Sequence, residues 1–160
     1  MSVLILTTGG TIDKLYFDAL SEYQIGDSVV DRLLKTARVA MPFRVHELLR
    51  KDSLELTDDD RGLIVRAVAD APEQRIVITH GTDTMTDTAR ALAGRTNKTI
   101  VLVGALAPAR FADSDATFNL GMAFATAQVA GPGVWIAMNG TIFDGTKVRK
   151  DRAINSFVAA

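Results

Sequence analysis

The sequence predicts a three-layer, Rossmann-like α/β domain built on a mainly parallel sheet. Short apolar runs of strand type alternate along the chain with segments of helical period, and most connections between them are short. The chain of 160 residues fits one domain, which we expect to span residues 1–160 and to bury most of its apolar surface.

Composition excludes several classes of function. The formal net charge is −1 and no basic run is present, so we expect no nucleic-acid partner. With no cysteine and two separated histidines, we expect no disulfide, no thiol catalysis and neither a Cys-based nor a His-rich metal site. No stretch approaches the roughly 18 apolar residues of a membrane span, and Met1 to Leu6 is too short for a signal peptide, which favours a cytoplasmic protein without a membrane partner. The chemistry must then rest on hydroxyls, carboxylates and amines.

The first strand is predicted from the apolar run Val3 to Leu6, which leads through two threonines into Gly9, Gly10 and Thr11. Open α/β sheets bind ligands outside the carboxyl ends of their strands, so Thr11 is the first candidate for chemistry. A plain turn is the alternative. A phosphate-binding loop is not favoured, because the sequence contains neither G-x-x-x-x-G-K-[ST] nor G-x-G-x-x-G.

Residues 13–27 have neither a strand nor a helix period, and we interpret them as a lid. Ser28 and Asp31 predict a capping box at the start of a helix. A second strand is predicted over Phe43 to Leu49, ending in the polar cluster of residues 50–53.

The next helix is predicted to begin at Thr57, with three aspartates forming a solvated first turn, and to end at Pro72. Its expected buried positions are Leu63, Ile64, Ala67, Val68 and Ala71. A strand over Arg75 to Thr79 follows, and Thr84 and Asp87 predict a further capping box.

The last third of the chain predicts a strand over Thr99 to Val103, a helix over Asp115 to Ala130 and a strand over Val134 to Met138. The helix is apolar nearly all round, so it belongs either deep in a core or in a subunit interface. We favour the interface and expect a homo-oligomer, a dimer or tetramer. A hairpin is predicted over Thr141 to Val148, turning at Asp144 and Gly145.

Two predicted strand ends each carry a Gly-Thr pair: Gly10 with Thr11, and Gly81 with Thr82. Neighbouring parallel strands would bring both pairs into one crevice. A hydroxyl is a weak nucleophile that needs a base, and a lysine whose pKa is lowered by burial is one of the few candidates in this chain. Lys150 is a possible supplier, although spacing does not single it out from the other lysines.

Two motifs resemble the two signatures of the bacterial-type L-asparaginase family, namely Thr8-Gly9-Gly10-Thr11-Ile12 and His80-Gly81-Thr82-Asp83-Thr84-Met85. Further matches follow in order: Tyr23-x-x-Gly26, Asp52-Ser53, Val103-Gly104-Ala105 with Pro108, Phe118-Asn119-Leu120, Met138-Asn139-x-Thr141, Asp144-Gly145 and Lys150. The resemblance covers essentially the whole chain and matches the N-terminal domain of that family.

The resemblance implies hydrolysis of L-asparagine to L-aspartate and ammonia through a threonine acyl-enzyme, without metal or cofactor. It implies that Thr11 is the nucleophile and that Tyr23 hydrogen-bonds to it. The resemblance also implies a second cluster, made of Thr82, Asp83 and Lys150. In it, Thr82 would orient the water or the nucleophile, Asp83 would pair with the ammonium of the substrate, and Lys150 would hold or accept a proton.

The implied substrate site comprises Gly10, Asp52, Ser53, Thr82, Asp83 and Ala105. Within it, Ser53 would bind the α-carboxylate of the substrate and the backbone of Ala105 the leaving amide. Backbone N–H groups at the Gly10 and Thr82 turns are candidates for an oxyanion hole.

Members of the family are longer and carry a second domain that completes the substrate site of a neighbouring subunit. We therefore expect the C-terminal domain of the family to be absent, which leaves a short form with an open site, or an inactive remnant or fragment. The alternative functions are a glutaminase, an amidase related to the amidotransferases, and a module that binds aspartate or asparagine without turnover.

Overall fold

The computed structural model describes the backbone of residues 1–160 and the side chains of residues 1–17 and 19–160. The strands in this part of the chain are β1 (Val3–Gly9), β2 (Lys14–Phe17), β3 (Glu22–Ile25), β4 (Phe43–Lys51), β5 (Arg75–Thr79), β6 (Thr99–Val103), β7 (Gly133–Met138), β8 (Thr141–Asp144), β9 (Val148–Asp151) and β10 (Ser156–Ala159). The α-helices are α1 (Val30–Thr36), α2 (Asp58–Asp70), α3 (Met85–Leu92) and α4 (Ala116–Val129).

A six-stranded central sheet has the order β4-β1-β5-β6-β7-β8. The pairs from β4 through to β7 are parallel, and β8 runs antiparallel to β7. The prediction of a mainly parallel sheet is confirmed.

Two apolar cores lie on the two faces of this sheet. In β1, Leu4 and Leu6 face the core that contains α2 and α3, whereas Val3 and Ile5 face the core that contains α1 and α4. Successive side chains of a strand alternate between faces, so a strand covered on both sides is apolar at every position. The three-layer prediction is confirmed.

The carboxyl ends of β1, β4 and β5 meet at one edge of the sheet. The chain leaves β1 through Gly9 and Gly10, which have φ angles of 101° and 86°. A Cβ on Gly10 would stand 2.5 Å from the amide nitrogen of Gly81, and a Cβ on Gly81 would stand 2.6 Å from the Cβ of Ser53. The turns after β1 and β5 therefore pack backbone to backbone, with Ser53 against the second, and both turns require glycine.

The segment of residues 13–27, predicted as a lid without regular structure, forms the hairpin β2–β3. A 3-10 turn over Thr11–Asp13 precedes the hairpin. The Gly26 amide donates to the Asp13 carbonyl at 2.9 Å, and this hydrogen bond closes the base of the hairpin. The hairpin was missed because its side chains are mostly exposed, so its strands carry no alternating apolar pattern.

Two predicted capping boxes are wrong. The Ser28–Asp31 box does not form, since α1 begins after Val29 and the Val29 amide donates to Asp13 Oδ1 at 3.0 Å. The Thr84 hydroxyl donates to the Ser53 carbonyl at 2.7 Å instead of capping α3. Both helix starts are fixed by residues distant in sequence, which a local motif does not reveal.

Helix α2 begins at Thr57, as predicted, and Thr57 and Asp60 form a capping box there. Its first turn is not wholly solvated, because Asp60 is buried and its carboxylate lies 2.9 Å from Lys51 Nζ. Leu63, predicted to be buried, is 40% exposed.

The C-terminal hairpin is placed differently from the prediction. Strand β8 pairs with β7 through a turn at Asn139 and Gly140, whose φ angles of 48° and 90° suit the tight hairpin turns that an Asn-Gly pair favours. Strand β9 pairs with β10 instead of β8, and this pairing sets Lys150 opposite Phe157.

Helix α4 covers the sheet with one side only. Leu120, Ala123 and Phe124 are buried, whereas Phe118 and Val129 are 62% and 85% exposed. The helix is therefore partly a core helix, and its predicted interface role remains a prediction. None of the helices described is long and apolar enough to cross a membrane.

Candidate active site

Lys150 stands at the centre of a polar cluster beside the end of β5. Its Nζ donates to Thr82 Oγ1 at 2.7 Å and to Asp83 Oδ1 at 2.9 Å. The Lys150 side chain is only 11% exposed, so these charge-assisted hydrogen bonds lie largely out of solvent. The structure brings together the three residues that the sequence assigned to the second cluster.

Arg152 adds a second cation to this cluster, with Nε 3.8 Å from Asp83 Oδ1. The sequence analysis did not single out this residue. The only signal was its closeness in sequence, because Arg152 lies two positions after Lys150, in the turn that follows β9.

Asp52 and Ser53 follow β4 and border the same edge. Ser53 is buried, and its Oγ accepts from the Thr84 amide at 3.3 Å. Asp52 accepts from the Leu54 amide at 3.0 Å and pairs with Lys14 at 3.2 Å. Burial alone would raise the pKa of Asp52, but the Leu54 N–H and the positive charge of Lys14 outweigh it and hold that pKa below its usual value.

Thr11 lies half-buried in the 3-10 turn that follows Gly10. Among the side chains described, its hydroxyl has no hydrogen-bond partner. Because Gly10 and Gly81 are in backbone contact, the turns that carry Thr11 and Thr82 leave neighbouring strands at the same edge. The prediction that both Gly-Thr pairs reach one crevice agrees with this placement.

Within the turn after β1, the amide of Gly10 itself is not a free oxyanion donor. It donates to the Lys51 carbonyl at 3.0 Å, because the pairing between β1 and β4 continues past the end of β1. The contribution of Gly10 to the site is the close approach to Gly81 that its missing side chain permits.

Tyr23 occupies a different position from the one that the resemblance implied. In the described part of the chain its hydroxyl makes no hydrogen bond to Thr11, and the residue is 53% exposed. Its ring packs against Tyr16 of the same hairpin and against Phe111 of the loop that follows β6, with centroids 5.4 and 5.9 Å away. The exposed hairpin gives these rings no deeper apolar surface, so they cover one another.

Ala105 follows β6 and is held beside the site by Asp115. The carboxylate of Asp115 accepts from the amides of Leu106 and Ala107 at 3.0 and 3.1 Å, and from the side chains of Asn119 and Asn139, both at 2.8 Å. Burial alone would raise the pKa of Asp115, but these donors hold it below its usual value. The sequence analysis gave the two asparagines no role, because their partners lie far along the chain.

His80 fixes the turn that leads to Thr82. It is fully buried, with Nδ1 2.6 Å from the Gly81 carbonyl and Nε2 2.7 Å from Thr88 Oγ1. Burial lowers its pKa to about 4, so the ring is neutral near pH 7. A carbonyl only accepts, hence Nδ1 carries the hydrogen and Nε2 accepts from Thr88. Sequence reasoning missed this positioning role.

A family model described as "Asparaginase, N-terminal" matches residues 2–157 of the chain. The chain belongs to the asparaginase N-terminal domain family. The resemblance seen in the two signature motifs is thereby confirmed.

Relatives within the asparaginase family match nearly the whole chain. The L-asparaginase of Thermococcus kodakarensis is 34% identical over 94% of this chain and 48% of its own length. The glutaminase-asparaginase of Acinetobacter glutaminasificans is 34% identical over 93% of this chain and 49% of its own length. The chain thus spans about half the length of these relatives.

Solved asparaginase structures share the fold. The T. kodakarensis enzyme superposes with a TM-score of 0.87 at 32% identity, covering 99% of this chain and 51% of the other. A structure described as a probable cytoplasmic L-asparaginase from Campylobacter jejuni gives a TM-score of 0.79 at 28% identity, with the same coverage of both chains.

Proposed function

We propose that this site hydrolyses the side-chain amide of L-asparagine to L-aspartate and ammonia, without metal or cofactor. The observation that carries the proposal is the hydrogen-bonded cluster of Lys150, Thr82 and Asp83 at the strand end next to Thr11. Membership of the asparaginase family and the names of the relatives support the same reaction.

In the first step, Thr11 Oγ1 attacks the amide carbon of the substrate. The bond between the amide carbon and nitrogen breaks, the proton of the Thr11 hydroxyl leaves with the nitrogen as ammonia, and an aspartyl ester remains on Thr11. Water then hydrolyses the ester and restores the hydroxyl. Lys150 serves as the proton carrier, and Thr82 orients the attacking oxygen through the hydroxyl proton that its bond with Lys150 leaves free.

Substrate recognition follows from the charges around the crevice. Asp83 pairs with the ammonium of the substrate, and Ser53 and the backbone near Asp52 receive its α-carboxylate. The Thr82 amide donates to the developing oxyanion, and the backbone of Ala105 receives the leaving amide.

Glutamine hydrolysis is the second candidate, favoured by the relative that is named a glutaminase-asparaginase. Glutamine places its amide one methylene further from the ammonium, so the fixed distance between Asp83 and Thr11 decides between the substrates. A comparison of kcat/KM for asparagine and glutamine, with both amino acids at the same purity, assigns the preference. Ammonia release separates these hydrolases, and an amidotransferase-related amidase of the same chemistry, from a module that binds without turnover.

Replacement of Thr11 by valine tests the proposal. Valine keeps the shape of threonine and removes the hydroxyl, so ammonia release from asparagine should fall by several orders of magnitude while the far-UV spectrum stays unchanged. Thr117→Val, at an exposed position of α4, is the matched control and should retain full activity. Ammonia release from Thr11→Val close to that of the parent chain would reject the nucleophile.

The proposal includes a homo-oligomer and a cytoplasmic location. The exposed apolar residues of α4 support self-association, since monomers rarely expose contiguous apolar surface. The C. jejuni structure described as cytoplasmic supports the location, which cell fractionation tests.

A further inference from the structure

A cleft between α2 and α3 is lined by arginines. Its volume is about 610 Å³, which falls within the range of small-molecule sites in proteins. Arg61 and Arg66 come from α2, Arg90 comes from α3, and Arg95 comes from the loop that follows α3. None of the residues that line the cleft belongs to the candidate active site.

The charges in the cleft do not cancel. Two aspartates also line it: Asp58 lies 3.8 Å from Arg61, and Asp87 lies 3.4 Å from Arg90. Four arginines against two aspartates leave an excess of two positive charges. Within the described part of the chain, Arg66 and Arg95 have no acidic partner within salt-bridge distance.

Arg61 is held in the wall of the cleft. Its side chain is 12% exposed, and its Nη1 donates to the Leu56 carbonyl at 3.3 Å. Its Nε is fully buried and has no hydrogen-bond partner among the residues described. Because this Nε is out of reach of solvent, Arg61 contributes its positive charge to the cleft and not a hydrogen bond from Nε.

We propose that this cleft binds a small molecule that carries a diphosphate group. Guanidinium groups bind phosphate oxygens through paired hydrogen bonds, and two adjacent phosphates match the excess positive charge and the spread of four arginines. L-aspartate fits the cleft less well, because it carries a single net negative charge and its two carboxylates are separate, whereas the cleft has an excess of two positive charges. The ligand is therefore chemically distinct from the substrate and product of the proposed reaction.

Isothermal titration calorimetry on the 160-residue chain tests this inference. Sodium diphosphate and adenosine diphosphate are titrated separately in magnesium-free buffer at constant ionic strength, each with and without L-aspartate in the cell. We expect one equivalent of each diphosphate compound per chain, with an affinity that L-aspartate leaves unchanged. The compound with the lower dissociation constant indicates whether the ligand is a free diphosphate or a nucleotide.

Paired variants make the test specific for the cleft. Arg66→Gln with Arg95→Gln changes two exposed side chains and should weaken diphosphate binding by about tenfold or more. Arg32→Gln with Arg38→Gln is the matched control. It removes the same charge from α1 and from the segment that follows it, on the opposite face of the sheet, and should leave the affinity unchanged. No saturable binding of either diphosphate compound, or equal weakening in both double variants, would overturn the proposal.

Discussion

Lys150 illustrates how single residues of this site depend on distant parts of the chain. Its partners Thr82 and Asp83 precede it by 68 and 67 residues, and β9 brings it to them by pairing with β10. Sequence spacing offered no reason to prefer Lys150 over other lysines, so only the family resemblance identified it. His80 was missed for a similar reason, because its partner Thr88 reaches it only when α3 packs below the turn.

Asp13 gives a prediction about pH and stability. Burial raises its pKa from 3.8 to about 6. Because the pKa is higher in the folded than in the unfolded chain, the folded state retains a proton that the unfolded state releases, and stability falls as the pH rises between about 4 and 6. At about 1.4 kcal/mol per pKa unit, the loss reaches about 3 kcal/mol and is complete above about pH 6.

Asp13→Asn removes this titration while its amide oxygen still accepts from Val29. We expect the free energy of unfolding in urea, measured from pH 4 to pH 8, to shift in favour of Asp13→Asn relative to the parent chain as the pH rises. Asp113→Asn, in an exposed loop, is the control and should show no such growth. A pH-independent difference for Asp13→Asn would contradict the argument.

At the scale of elements, burial explains which predictions succeeded. Strands β5 and β6 match their predicted bounds because they are covered on both faces and therefore read as continuous apolar runs. The lid hairpin and the pairing of β9 with β10 were not predicted, since half-exposed strands carry a weak pattern. The turn at Asn139–Gly140 carried a recognisable hairpin signal that was overlooked in favour of Asp144–Gly145.

Helix α4 leads to a prediction about assembly. Phe118, Gly121, Ala125 and Val129 form one exposed stripe along the helix, at helical spacing. If this stripe joins two copies, Phe118→Lys should place charges in the contact and reduce the sedimentation mass at micromolar concentration to that of one chain. Leu63→Lys, on an exposed position of α2, should leave the oligomer intact. A single-chain mass for the parent protein, or no change in Phe118→Lys, would contradict the prediction.

At the scale of the whole molecule, the sheet is what assembles the site. Parallel order places the ends of β1, β4 and β5 at one edge, and the glycines at positions 10 and 81 let the two turns touch. The sequence therefore predicted that Thr11, Thr82 and Asp83 lie at this edge of the sheet. It did not predict the polar contacts that hold them, such as those of Asp115, because such contacts join segments whose packing is decided only by the complete fold.

The central claim is that Thr11 and Lys150 act as one catalytic unit across two strand ends, and a double-mutant cycle tests it most directly. Ammonia release from asparagine is measured as kcat/KM for the parent chain, Thr11→Val, Lys150→Met and the double variant. Residues that act as a unit are strongly non-additive, so each single variant should lose at least about a hundredfold and the double variant should be little worse than the poorer single one. Losses that multiply in the double variant, or single variants within about twofold of the parent chain, would contradict the account.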